Sequence, residues 1–581
     1  MKLAADIFTV TTDENASCRC LLAEKRECDG VSFYRFELFW DRSRVRSDSE
    51  VRFEWCVPML GFMYMWAPMF RERRCIQPEW GGERISMISS GAPLISVYDG
   101  NTRNRYTWAV DECKKLLSFK SGVLEETGEL KSVLRMGLEQ FTGENHTELT
   151  FRIDSRDISF CDAIGEVAAW WEDCGMKPAY VPDAAKDPAY SFWYSYHQNV
   201  YEKEVEAECA RAKKLGFDVC IVDDGWQTGD NNRGYAYCGD WRPAHEKISD
   251  MAAHVERVHR LGMKYVLWYS VVFVGKCSEH YGHFKDMFLY YDEGMGAGVL
   301  DPRYPEVREF LIGIYLKALD EWKLDGFKLD FIDTWCGSAP YKTGMDIKAL
   351  SDAVDVFMTD ATNALREKKP DILLEFRQNY IGPNMRKYGN MFRVADCPND
   401  FLTNRAGVLD LRMTMGSSAV HSDMLMWHPN EAPELAAVQM IGVLFGVMQY
   451  SAKLEKMSDS LFKTSAFWLD FMKKHRRLLL ESKLEAFEPQ CYYTWARASD
   501  RNECAIAVYS SGHTVDAWNY DTVYIANGSM SGQVVMCSSG TYDATVRNCF
   551  GEIESRGRLS FDECIKMIKV PVGGLLTLKK R

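Results

Sequence analysis

Residues 202–216 read EKEVEAECARAKKLG and run straight into residues 217–224, FDVCIVDD. The first stretch has helical spacing and stops at Gly216; the second is a short, almost wholly apolar strand that ends in two carboxylates. The same order returns in residues 251–262 (MAAHVERVHRLG) followed by 263–270 (MKYVLWYS), in 307–326 (VREFLIGIYLKALDEWKLDG) followed by 327–333 (FKLDFID), and in 364–371 (ALREKKPD) followed by 372–379 (ILLEFRQN). A strand that is apolar on both faces is one covered by helices on both sides, as in a parallel sheet of right-handed β–α units. With a first strand near residues 191–195 (SFWYS) and later ones in 391–396 (MFRVAD), 417–423 (SSAVHSD) and 446–451 (GVMQYS), the count reaches eight. Eight such units close a (β/α)8 TIM barrel, expected over residues 186–485.

The flanks have a different texture. Residues 1–185 carry short alternating segments such as SFYRFELFW (32–40), EVRFEWCV (50–57) and TELTFRID (147–154), the pattern of an antiparallel β-sandwich. A Pro-rich stretch ending at Pro188 marks the change to the barrel. From residue 486 to 581 alternation returns in CYYTWARAS, ECAIAVYSS, TVYIAN and GLLTLKK, which predicts a small C-terminal antiparallel β-domain. The apolar run at 55–70, WCVPMLGFMYMWAPMF, is too short and too broken by Pro58 and Pro68 to span a bilayer. It reads as sandwich core, with a loop that carries Trp66 toward a ligand as the alternative.

Composition narrows the partners. The 581 residues hold 70 Lys and Arg against 83 Asp and Glu, a net charge of −13, with no basic run able to follow a nucleic-acid backbone. The 19 cysteines are scattered without paired ligand spacing, which points to a reducing compartment. The N-terminal segment lacks the apolar core of a signal peptide, so the expected location is cytoplasmic. Neither nucleic acid nor membrane is expected as a partner. Aromatic residues make up 13% of the chain, a proportion that suits flat hydrophobic surfaces for sugars as well as large cores.

Barrel enzymes work at the C-terminal ends of their strands, where side chains from several strands converge. Here those ends offer Asp223, Asp224 and Trp226; Trp268; Lys328, Asp330 and Asp333; Glu375 and Arg377; Arg393 and Asp396; His421 and Asp423. Any one Asp in such a place can be a helix cap or a simple ion-pair partner. Asp330 and Asp396 stand apart because each closes an apolar strand and follows a cation by two or three residues. Lys328 lies on the same strand face as Asp330 and favours its ionised form, which a nucleophile requires. Two carboxylates across one mouth, one ionised and one protonated, are what glycoside hydrolysis uses. Asp223 and Asp224 suit acceptance of hydrogen bonds from paired sugar hydroxyls.

The set VDDGW (222–226), GDW (239–241), LDPRYPEVR (300–308), FKLDF (327–331) and FRVAD (392–396) resembles the melibiase-type α-galactosidases of glycoside hydrolase family 36. The order of sandwich, barrel and C-terminal β-domain is that family's as well. The resemblance implies a retaining exo-acting α-glycosidase, most simply an α-galactosidase, with Asp330 as nucleophile and Asp396 as general acid/base. It implies Asp223 and Asp224 at the C4 and C6 hydroxyls, Lys328 toward C3 and C4, Arg393 toward C2, and Trp226 and Trp268 as an apolar wall. It implies no metal and no other cofactor, a small oligosaccharide or glycoside substrate, and an architecture often found as a homo-oligomer.

The chain departs from the family at the fifth strand. Many members place a Cys-Ser-x-Gly-Gly-Gly-Arg loop there; here LEFRQNY (374–380) sets Glu375, Arg377 and Gln378 beside the expected C2 position. An Asn that follows the nucleophile in some members is Ile332, and Asp400 is a second candidate acid. These departures leave an α-N-acetylgalactosaminidase, another α-glycosidase of the clan, or a transferase resembling the raffinose synthases as alternatives. A non-catalytic sugar-binding barrel is the reading from another class, and the pairing of Asp330 with Asp396 argues against it. The paired-His ligands of metal-dependent barrel hydrolases are missing from the sequence. The expected mouth aromatics are Trp193, Trp226, Trp241, Trp268, Trp335 and Trp427. The mouth carboxylates favour a neutral or basic sugar unless Arg377 points inward.

Overall fold

The computed structural model describes residues 2–337 and 340–581. The eight barrel strands, numbered in chain order, are β1 (Ala189–Ser191), β2 (Val219–Val222), β3 (Lys264–Ser270), β4 (Gly326–Asp330), β5 (Leu373–Arg377), β6 (Met391–Arg393), β7 (Ala419–His421) and β8 (Gln449–Tyr450). Neighbours pair in parallel in that order, and β8 returns to pair with β1. The last gap is bridged by His421 to Val447 and Leu425 to Tyr450. The first strand ends earlier than its sequence suggested: Trp193–Tyr196 form one helical turn.

Side-chain alternation along these strands builds the interior in layers. An apolar plug of Ala189, Ile221, Val266, Leu373, Met391, Ala419 and Val447 fills the lower barrel. Because a strand returns to the same face every second residue, the next inward positions are Asp223, Trp268, Glu375, Arg393, His421 and Gln449. Gly326 opens β4 where a Cβ would come within 2.2 Å of the Leu373 carbonyl oxygen, and two and four residues later come Lys328 and Asp330. The polar floor of the mouth therefore sits one step above a dry core.

Two six-stranded antiparallel sheets form the N-terminal sandwich. Its core is aromatic: Phe8 packs on Trp55 at 5.1 Å between ring centroids, and Trp55 meets Trp108 edge-on at 5.0 Å. A helix at Phe160–Asp173 follows and leads to the barrel. The C-terminal sheet begins at Lys483 and is antiparallel apart from two parallel pairings, Glu503–Val508 with Thr522–Asn527 and Thr514–Asp516 with Gln533–Arg547. All 19 cysteines are unbridged. Among the described residues no helix is long and apolar enough to cross a membrane.

The three units meet on one buried carboxylate. Asp410, on the helix Phe401–Thr414 of the barrel, accepts from Trp66 Nε1 at 3.0 Å and from Tyr493 Oη at 2.5 Å, and pairs with Arg74 at 2.5 Å. Trp66 and Arg74 come from the sandwich and Tyr493 from the C-terminal unit. Trp66 is thus fully buried and structural rather than a ligand-seeking residue. Removing one partner of a buried, hydrogen-bonded pair leaves the other charge uncompensated. Asp410→Ala is expected to destabilise the fold by roughly 3–5 kcal/mol, read as a lowered midpoint in chemical denaturation; an unchanged midpoint would contradict this junction.

Candidate active site

The loops that follow the strands bring most of the sequence-predicted residues into one mouth. At the end of β4, Asp330 is 7% exposed and both its oxygens are engaged. Oδ1 accepts from the Phe331 amide at 2.8 Å and from Arg377 Nε at 2.6 Å; Oδ2 accepts from Trp268 Nε1 at 3.0 Å. Burial by itself raises this carboxyl, but the Arg377 guanidinium and then the Lys328 ammonium override it and hold the group well below the usual carboxylate range. Asp330 is therefore a stably ionised carboxylate at the bottom of a mouth.

Lys328, on the same face, is buried and paired with Asp223 at 2.5 Å. Asp223 also accepts from the Asp224 amide at 2.9 Å. Asp224 takes 2.6 Å hydrogen bonds from the side-chain amides of Gln198 and Gln227. Its burial pushes its carboxyl up to about 6, despite those donors. The turn behind it needs Gly225, whose φ is +113° and whose Cβ would lie 2.4 Å from Gln198 Cα. Lys247 locks that turn by donating to the carbonyls of Gln198 and Gly225.

Arg393 organises the opposite side. It is 1% exposed and donates to Asp423 at 2.5 Å and to Asp396 at 2.8 Å, with Glu375 at 3.6 Å. Asp423 is held in turn by the Tyr194 hydroxyl and the Cys397 amide, both at 2.7 Å. Asp396 stands at the rim with its side chain 52% exposed. Desolvation raises its carboxyl, yet the neighbouring Arg393 and Lys328 prevail and lower it. Asp396, expected as a protonated donor, is instead held toward its ionised form by its pairing with Arg393.

Several expected residues lie elsewhere than the mouth surface. Glu375 is enclosed beneath Arg393, accepting from Gln449 at 2.5 Å, and burial raises its carboxyl. It lies against the guanidinium, 3.6 Å from Arg393 Nε, and acts on the mouth through that residue. Trp226 is fully buried and donates to the Trp268 carbonyl at 2.9 Å, so it braces Trp268 from behind. Trp241, Trp268, Trp335 and Trp427 are each at most 6% exposed, because covering the large indole face is strongly stabilising. Trp335, for example, donates to the Leu300 carbonyl at 2.8 Å. Asp400 caps the helix Phe401–Thr414 by accepting from the Thr403 amide at 3.0 Å, which removes it as an acid candidate.

Arg377 points inward, against Asp330, and its NH2 lies 3.4 Å from Asp333. The sandwich contributes here too. Ser89 donates to the Trp335 carbonyl and the Gly91 amide to the Asn379 carbonyl, bracing the loops after β4 and β5. Gln198, Gln227, Tyr194, Tyr380 and Gln449 escaped sequence reasoning because isolated amides and phenols carry no spacing signal. Among the described residues no cluster of three or more His, Cys, Asp and Glu is placed to hold a metal ion. One ionised buried carboxylate facing a rim carboxylate, with further acceptors in paired positions, can attack an electrophilic carbon and hold a polyhydroxylated ligand.

Residues 191–379 match the Melibiase family model. The α-galactosidase Mel36A of Lactobacillus acidophilus is 24% identical over 288 residues, 46% of this chain and 38% of that protein. The bifunctional α-galactosidase/sucrose kinase AgaSK of Mediterraneibacter gnavus is 26% identical over 174 residues, 28% and 17% of the two chains. The chain thus spans less than two fifths of the length of these curated relatives. Among solved structures, the family 36 α-galactosidase AgaA of Geobacillus stearothermophilus superposes with a TM-score of 0.65 at 13% identity, covering 99% of this chain and 83% of that one. The α-galactosidase of Lactobacillus brevis gives 0.64 at 13% identity, covering 99% and 86%. The fold is that of the family 36 α-galactosidases.

The two acids near β6 separate by stability. Asp400→Ala is expected to cost about 1 kcal/mol as a lost helix cap, while Asp396→Ala leaves stability unchanged, since Arg393 keeps Asp423. Denaturant midpoints of both variants test this; equal losses would put Asp396 among the structural carboxylates.

Proposed function

We infer that this chain, whose residues 191–379 match the Melibiase family model, is a retaining exo-acting α-galactosidase. The observation that carries the reading is Asp330: a carboxylate kept ionised by Arg377 and Lys328, yet with one lone pair of Oδ2 unused. That oxygen attacks the anomeric carbon of a terminal α-D-galactosyl residue. The glycosidic C–O bond breaks as Asp396 gives its proton to the departing oxygen, and Asp330 becomes a glycosyl ester. Asp396 then takes a proton from water, which attacks the same carbon and restores Asp330.

Asp396 is paired with Arg393 and held toward its ionised form, so the sugar has a second task. A C2-side hydroxyl that takes donors of Arg393 loosens the pair, and the bound sugar displaces water from the rim; both raise the Asp396 carboxyl toward a proton donor's range. Asp224, Asp223 and Lys328 lie together on the far side of the mouth, two acceptors and a donor suited to neighbouring hydroxyls of the glycone. Variants of AgaA have been captured with 1-deoxygalactonojirimycin, with raffinose and with stachyose, a galactose-type inhibitor and two oligosaccharides. The unbridged cysteines support a cytoplasmic setting, and the substrate is then an oligosaccharide small enough to be imported.

Asp330→Ala is expected to lower turnover of an aryl α-galactoside by at least about a thousandfold. Azide partly restores it and yields the β-galactosyl azide, because the small anion enters from the side the carboxylate vacated. Undiminished hydrolysis by Asp330→Ala would falsify this assignment.

A further inference from the structure

The α-galactosidase reading leaves one charge unaccounted for. In the resting site Arg377 gives Nε to Asp330 at 2.6 Å, one NH group to the Gln378 carbonyl at 2.9 Å, and the other, at 3.4 Å, faces Asp333. Its guanidinium is packed between the rings of Phe331 and Tyr380, 5.5 and 5.4 Å from their centroids, with the side chain 18% exposed. When Asp330 becomes an ester its negative charge disappears. Arg377 cannot lose its proton, and with most of its side chain covered and its guanidinium against two rings, water compensates the lost carboxylate poorly. Lys328 faces no such problem, because Asp223 remains its partner at 2.5 Å.

We propose that Asp333 is the positioning residue that receives the Arg377 guanidinium when Asp330 is esterified, and thereby sets the energy of the covalent intermediate. The inference rests on the double displacement proposed above. Its geometry comes from the turn after β4. Phe331 adopts a left-handed backbone, φ +65°, which a bulky residue holds only when its surroundings enforce it. That turn does three things at once. It aims the Phe331 amide at Asp330 Oδ1, places the Phe331 ring under Arg377, and starts the short 3-10 helix Ile332–Thr334 that brings Asp333 back to the guanidinium.

The step balances in charge. Before attack, Asp330 and Asp333 share Arg377. Attack by Oδ2 forms the bond to the anomeric carbon, the bond to the leaving oxygen breaks with its electron pair, and the proton comes from Asp396. Oδ1 becomes the ester carbonyl oxygen, a weaker acceptor for Arg377 Nε. The guanidinium shifts toward Asp333 and an ion pair replaces the one lost. Hydrolysis of the ester reverses the shift. Without Asp333 the intermediate holds a buried cation with no carboxylate, while the free enzyme keeps its Arg377–Asp330 pair, so formation of the ester slows and its breakdown does not.

The test follows labelling by 5-fluoro-α-D-galactosyl fluoride, which forms a slowly hydrolysed ester, using the mass of the intact chain and of its Asp330 peptide. In Asp333→Asn, ester formation is expected to slow by about tenfold or more relative to wild type, with recovery after removal of the reagent equally fast or faster. Asp333→Glu recovers at least part of the formation rate. Unchanged formation, or formation and recovery slowed alike, overturns the inference, since general damage to the site moves both. Should Asp333→Asn not fold, a structure of the labelled wild type decides: a gap between Arg377 and Asp333 closed from 3.4 Å to below about 3 Å supports the transfer, and an unmoved Arg377 overturns it. Wild type that takes no label at Asp330 overturns the α-galactosidase reading and the inference with it, an outcome distinct from a labelled wild type and an indifferent variant.

Discussion

Everything in the mouth depends on cations held between carboxylates where water is scarce. Lys328 lies between Asp223 and Asp330, Arg377 between Asp330 and Asp333, and Arg393 among Glu375, Asp396 and Asp423. A lone charge in such a place would be costly or would neutralise itself. Interleaved, the charges keep one another ionised, and the carboxylate that most needs to be ionised, Asp330, has two cations at hand. The arrangement also fixes geometry, because Arg377 contacts two acids and Arg393 three, and neither guanidinium can turn without breaking a pair.

The barrel supplies this order through a two-residue step. Ile221, Leu373, Met391, Ala419 and Val447 belong to the dry plug, and Asp223, Glu375, Arg393, His421 and Gln449 follow each of them by two. His421 marks the transition. It is buried, its Nε2 bonds to the Ala185 carbonyl, and desolvation lowers it to about 4, so it is a neutral spacer and adds no charge to the stack. The sandwich and the C-terminal sheet serve the same end from outside. Asp410 ties both to the helix after β6, and the segment at Ser89–Gly91 supports the loops that carry Asp330 and Arg377. Stability is concentrated at Asp410 and reactivity at Asp330.

Reading the chain alone went furthest where periodicity speaks. The apolar strands with polar ends revealed the barrel, and Lys328, Asp330, Arg393 and Asp396 followed from their positions at those ends. Reasoning by residue type did less well. The resemblance implies Trp226 on the wall of the mouth, while in the fold it is fully buried and donates to the Trp268 carbonyl from behind. Glu375 shares the layer of Asp223 and Arg393 but is buried against Arg393 and Gln449, contacts that only the fold brings together. Asp333 looked like an ordinary strand-end acid, since nothing in a sequence announces that Phe331 will take a left-handed turn. Arg377 could be named but not aimed. The amides of Gln198 and Gln227, which hold Asp224, become visible only when loops distant in the chain converge.

The account turns on whether Asp330 forms a bond to the sugar. Proton NMR of the first sugar released from an aryl α-galactoside, recorded before mutarotation scrambles it, reports that directly. Two displacements at the anomeric carbon predict α-galactose as the first-formed product, with the β-anomer growing in only at the solution rate. Initial release of β-galactose would mean a single displacement by water and would contradict the role given to Asp330.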